Sequence, residues 1–193
     1  MRNEKGFTLV ELAIVLVIIG LLLGGILKGQ ELIKSAKIKR TYSTQSEVVA
    51  ALYTYLDRYG KTPGDDSRAK ARWSGATDGN GNGLVSGFTT NCSSSATNES
   101  CQVWRHLRLS EILSGDSASA VNPDNPYGGT VAFGYRNVQG LTNHWVGLTV
   151  IPFDAANVLD EKYDDGSYKT GSIRGSGNYT GATSGNYTVY FKF

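Results

Sequence analysis

Hydrophobic positions along this chain follow three unlike patterns. The first is an apolar run from Leu12 to Leu27, entered through Phe7-Thr8-Leu9-Val10-Glu11. Phe7 to Leu27 is 21 residues, close to the ~20 a helix needs to cross a bilayer. The second is amphipathic: Ile38, Tyr42, Gln45, Val49, Leu52, Leu56 and Tyr59 recur at steps of three and four, one face of a helix. Gly60 and Pro63-Gly64 stop it. The third is alternation, clearest where Tyr187, Val189, Phe191 and Phe193 interleave with Thr188, Tyr190 and Lys192. Thr130–Tyr135 and His144–Ile151 also read as strands. Val103–Leu113 reads as a short helix with Trp104, Leu107 and Leu113 toward the core. Together these predict an α+β chain with a short polar leader (1–6), one long helix (7–60) and a β-rich head (61–193). The helix packs its second half on an antiparallel sheet with long loops. A helix from Phe7 to Tyr59 is about 80 Å long, too long for a domain of this size to bury. Its first half (7–27) needs lipid or copies of itself.

Charge sharpens the reading of the first segment. Arg2 and Lys5 precede the apolar run, which keeps that end in the cytoplasm and sends the rest outward. A secretory signal peptide ends in a small-residue cleavage site after its apolar run, whereas Leu27-Lys28-Gly29-Gln30 continues into helical sequence. A plain signal anchor leaves Glu11 unexplained. A carboxylate within an apolar span costs on the order of 2–3 kcal/mol or more and marks function. A cut between Gly6 and Phe7 would place a new α-amine on Phe7, with Glu11 one helical turn further on. Pairing within one chain would partly neutralise the site. Pairing between neighbouring chains would also fix the axial register of packed helices.

Lys5-Gly6-Phe7-Thr8-Leu9-Val10-Glu11 resembles the processing site of type IV prepilins and of type II secretion pseudopilins, with its basic leader, Gly, Phe, following Glu and apolar span. The motif itself covers residues 2–27. The resemblance implies that a prepilin peptidase cuts after Gly6 and methylates Phe7, and that Glu11 is the assembly carboxylate. It implies a structural subunit of a type IV pilus-like filament, or alternatively a pseudopilin of a type II secretion system or a minor tip pilin whose head binds a ligand, a surface or DNA. The precursor would sit in the bacterial inner membrane, N-terminus cytoplasmic and head outside, before joining a pilus or periplasmic pseudopilus. The implied partners are the peptidase, other pilin subunits in a homo- or hetero-filament, the membrane, and an inner-membrane assembly platform with its ATPase. Pilins of the commonest class often carry a Pro inside the long helix. Here none occurs before Pro63, and Gly20, Gly24 and Gly25 offer local bending instead. Pilus and pseudopilus both stay open on this ground.

After residue 60, Gly, Ser, Thr, Asn and Tyr dominate, as in a loop-rich domain facing water. Cys92 and Cys101 are spaced poorly for zinc; an exported domain would join them in a disulfide, a reducing compartment would leave two thiols. Asp78-Gly79-Asn80-Gly81-Asn82-Gly83 opens like a calcium loop, with Asp78, Asn80 and Asn82 at alternate positions, but Thr89 stands where a bidentate Glu is expected. A glycine-rich turn is the competing reading, and Asp65 and Asp66 could supply charge if the fold returns them nearby. A second acidic group contains Asp160, Asp164 and Asp165. Pseudopilins often hold calcium in a loop of the late sheet, and by that resemblance this stretch is a possible counterpart, against a solvated helix end and turn. His106 lacks an evident catalytic partner and reads as a surface or capping residue. Gly-Asn-Tyr-Thr occurs at 177–180 and 185–188 and reads as two strand starts in a Tyr-rich hairpin. A net charge of +2 gives no obvious nucleic-acid footprint. No P-loop, G-x-S-x-G or zinc-ligand spacing occurs. A membrane-tethered hydrolase would have only Asp65/Asp66 or Asp164/Asp165 to work with. The chain therefore reads as a non-enzyme, itself the peptidase's substrate.

Overall fold

The computed structural model describes Gly6 and residues 8–193, and Phe7, the expected new N-terminus, lies outside the described residues. The chain divides into two compact units, residues 1–37 and 38–193. One helix, α1 (Leu9–Tyr59, 51 residues), has residues in both.

In the first unit the large apolar side chains from Leu9 to Ile33 are 46–86% exposed, so nothing in that unit covers them. Isoleucine and valine are middling helix formers in water, but in lipid every backbone amide must find its partner within the segment, and a helix provides that. Among the described residues, α1 is the helix long and apolar enough to cross a membrane.

In the second unit, α1 buries Ile38, Thr41, Val48, Leu52 and Tyr55. This stripe is rotated from the expected one. Leu56 is exposed and Tyr42, Val49 and Tyr59 are half-buried. The rotation follows from Tyr55, whose ring lies in the core while its hydroxyl donates to Asp66 Oδ2 at 2.7 Å. A residue with an apolar body and a polar tip can sit inside when the tip is bonded.

The remaining elements are α2 (Ala69–Arg72), α3 (Glu99–Leu109), β1 (Val131–Val138), β2 (Leu141–Pro152), α4 (Phe153–Tyr163), β3 (Ile173–Gly175) and β4 (Asn186–Lys192). The strands form one antiparallel sheet in the order β1-β2-β4-β3. Alternation places Val131, Phe133, Val146, Leu148, Ile173, Val189 and Phe191 in one core with Val48, Leu52 and Tyr55 of α1, Trp104 and Leu107 of α3, and Leu159 of α4. The register sets Val146 opposite Phe191, and Phe191 opposite Ile173. Val138, Trp145 and Tyr190 make a second cluster, with the Arg136 guanidinium over the Phe88 and Tyr190 rings.

Three local expectations change. The helix expected at 103–113 starts earlier, at Glu99, and ends at Leu109. Residues 153–163 form a helix that the strand-rich surroundings masked. The twin Gly-Asn-Tyr-Thr segments diverge: the second leads into β4, whereas the first lies outside any strand, with Tyr179 buried. Its hydroxyl is the reason, since it bonds the carboxylate of buried Asp160 and fixes the loop rather than a ladder.

Candidate functional site

At the N-terminal end, Thr8 and Glu11 cap α1 reciprocally. The Glu11 carboxylate accepts from the Thr8 amide at 2.8 Å and from the Thr8 hydroxyl at 2.8 Å. The Glu11 amide donates back to Thr8 Oγ1 at 3.2 Å. This is a capping box, which satisfies amides left orphaned at a helix start. The Thr-x-x-Glu spacing that encodes it is readable in sequence, yet the apolar surroundings drew attention to charge alone. Gly6, the expected cleavage position, is exposed, with open space around it.

The head holds its long first loop by buried carboxylates. Asp65 and Asp66 are 2% and 0% exposed. Asp65 Oδ1 accepts the amides of Gly81 (2.7 Å) and Asn82 (3.2 Å), and Oδ2 that of Gly83 (2.7 Å). Positive φ at Gly81 (75°) and Gly83 (88°) gives the loop the backbone shape that turns these amides onto one anion. Asp66 accepts from Tyr55 and from the Arg68 amide at 2.9 Å, and pairs with Arg72.

The fold thus does return Asp65 to the 78–83 loop, but as an anion held by backbone N–H groups. The oxygens proposed for calcium there have partners of their own. Asp78 Oδ1 accepts the Lys70 amide at 2.7 Å, Asn80 Oδ1 the Asn82 amide at 2.9 Å, and Asn82 Oδ1 the Leu84 amide at 2.8 Å. Alternating Asn side chains make Asx turns as readily as they line a cation loop.

His106, expected as a surface or capping residue, is fully buried, so the surface role does not hold. Nδ1 accepts the Gly64 amide at 3.0 Å, and Nε2 lies 2.9 Å from the Thr77 carbonyl, which assigns the proton to Nε2. Burial lowers its pKa to about 4, the Thr77 bond opposing. His144 accepts the Val85 amide at 3.0 Å through Nε2, and burial lowers its pKa also. Both imidazoles fasten loop to scaffold. Cys92 and Cys101 form a disulfide with a Cα–Cα distance of 5.7 Å, packed on Ala120.

Asp160, Asp164 and Asp165 come together at the C-terminal end of α4, offering oxygens within 4.8 Å of one another. Asp160 is wholly buried and accepts from the Tyr179 hydroxyl and the Gly166 amide. Burial raises its pKa; Asp164 and Asp165 push the same way, while the two hydrogen bonds oppose. Asp164 accepts from the Ile173 amide (2.6 Å) and Ser172 hydroxyl (3.1 Å), Asp165 from the Thr170 hydroxyl (2.6 Å) and Ser167 amide (2.9 Å). All-oxygen donors at the negative end of a helix dipole suit a hard divalent cation, and these three carboxylates could supply about half of its 6–8 ligands.

Residues 1–27 match the family described as the prokaryotic N-terminal methylation motif. No curated protein and no solved structure matches the chain. That motif is the hallmark of type IV pilin and pseudopilin precursors. With that motif at the start of a long apolar helix, and with an antiparallel sheet packed on the helix's second half, the chain carries the mark of a prepilin-type precursor on an α+β, pilin-like layout.

Proposed function

We propose that the chain is a structural subunit of a type IV pilus-like filament, cut after Gly6 by a prepilin peptidase and assembled through the first half of α1. The observation that carries this reading is the uncovered stretch Leu9–Leu27, apolar throughout except at Glu11. In the single chain Glu11 has the Thr8 amide and hydroxyl for partners. Cleavage would add a cation one residue before Thr8, and the α-amine of the same or a neighbouring chain would then meet the carboxylate. The head carries no reaction in this reading. Movement and ATP hydrolysis belong to the assembly platform and its ATPase. The test is mass spectrometry of sheared filaments together with Glu11→Ala. The expected subunit begins at N-methylated Phe7. The variant should be inserted and cleaved, yet yield about ten-fold fewer filaments or less, as loss of one buried ion pair predicts. Normal filament yield from Glu11→Ala would remove the register role.

The carboxylates at the end of α4 favour a second reading, a secretion pseudopilin whose head takes up a divalent cation. Calcium should raise the unfolding temperature of the full-length chain in detergent, and Asp164→Asn should abolish the rise. Since burial raises the Asp160 pKa, protons and cation compete, and binding should tighten as pH rises through that value. An unchanged melting temperature in millimolar calcium would end this reading.

A further inference from the structure

The head contains a groove of about 790 Å³ between α1 and the segment that follows α3. Val48, Trp104, Leu107 and Ile112 give it an apolar floor. Three carboxylates, Glu47, Glu111 and Asp124, face one guanidinium, Arg40. Arg40 pairs with Glu47, while neither Glu111 nor Asp124 has an ion-pair partner among the described residues. The rim is thus acidic by two charges. Two further features set the groove apart. Trp104 is fully buried, and its indole N–H has no acceptor among the described residues, a condition that costs free energy unless something completes it. Glu111 holds a left-handed backbone, φ 58°, at the position after a helix end where glycine is usual.

We propose that this groove receives residues 28–37 of α1 from a second copy of the chain. The inference rests on the filament reading above. That segment carries Lys28, Lys34 and Lys37 against Glu31, a positive excess of two that matches the acidic rim. Leu32 and Ile33 are 60% and 61% exposed, and Ala36 follows Leu32 by one turn, so the segment presents an apolar ridge. Lys28 lies one turn before Leu32 and Lys37 one turn after Ile33, which brackets the ridge with cations. The ridge fits the apolar floor and the lysines fit Glu111 and Asp124. The side chains that unit 1–37 leaves uncovered beyond its apolar run thereby gain a protein partner.

The experiment uses full-length chains in filament-producing cells. Leu32→Cys and Ser114→Cys are placed in separate copies and co-expressed, with Leu32→Cys plus Lys169→Cys as the control pair. The expected result is a disulfide-linked dimer from the first pair only, found in the filament fraction. Glu111→Lys with Asp124→Lys should lower filament yield about ten-fold, and adding Lys34→Glu with Lys37→Glu to the same chain should restore most of it, as complementary charge requires. Rescue also shows that the reversed head still folds. Normal filaments with no 32–114 crosslink, or a crosslink to a protein of different mass, overturn the inference and leave the filament reading standing. Failure of the unaltered chain to enter any filament overturns both.

Discussion

Glu11 is an exposed carboxylate held, among the described residues, by Thr8, in the part of α1 where the large apolar side chains from Leu9 to Ile33 are exposed. Asp65, Asp66 and Asp160 are carboxylates sealed inside the head, each with two or more donors. The large apolar side chains from Leu9 to Ile33 are thus left to be covered from outside, whereas the head completes its buried carboxylates from within residues 38–193. A carboxylate in an apolar setting has two routes to stability, a full set of local donors or a counter-charge brought by another molecule. The head takes the first route, and under the filament proposal Glu11 takes the second.

Substitutions can break that contrast at several strengths. The largest effect inside the head is expected from Asp66→Ala. It strips Tyr55 and the Arg68 amide of their acceptor and leaves Arg72 unpaired. Urea unfolding of the full-length chain in detergent should register a loss of about 3 kcal/mol, the lower end for a broken buried pair because Arg72 reaches water. Next comes His106. Its folded pKa of about 4 lies below the ordinary value near 6.5, so the fold prefers the neutral ring. That contribution is complete above about pH 6.5 and is lost as pH falls through about 4, at most about 3 kcal/mol. His106→Ala should lower stability at pH 7 and flatten this slope. Equal slopes in the two proteins would show that another group carries the dependence. Reduction of Cys92–Cys101, or Cys92→Ser with Cys101→Ser, should cost roughly 2–3 kcal/mol for so short a loop. The smallest effect sharpens the other side of the comparison. Thr8→Val removes one partner of the capping box and should cost about 1 kcal/mol of helix-end stability, seen as faster amide exchange at residues 9–11 while the head's exchange is unchanged.

How far these features could be read in advance depended on how local their causes are. Gly6 and Glu11 stand out because a leader, an apolar span and an acid within it are written within a few residues. The Thr8–Glu11 box is equally local, and was hidden only by a stronger reading of the same glutamate. Strands β1, β2 and β4 announced themselves by alternation. Helix α4 did not, because Phe153-Asp154-Ala155-Ala156 continues β2 without a break; Pro152 at its start was the available signal. The role of Asp65 was out of reach, since its donors lie 16–18 residues away and only the folded loop brings them in. The roles of His106 were hidden for the same reason, its partners being 42 and 29 residues distant.

Between Tyr59 and Glu99 only the four residues of α2 are helical, so most of that stretch is irregular chain, with exposed positions on either side of its buried anchors. Exposed segments of this kind are where proteases cut first. Cutting requires the segment to lift away, and its rate follows the population of the lifted form. Consecutive Asp65 and Asp66 bond in different directions, one to the 81–83 amides and the other to α1 and Arg72, so they act as a rivet through the middle of the segment. The first consequence of losing that rivet is a nicked chain and a shortened lifetime, while the sheet beneath is still intact.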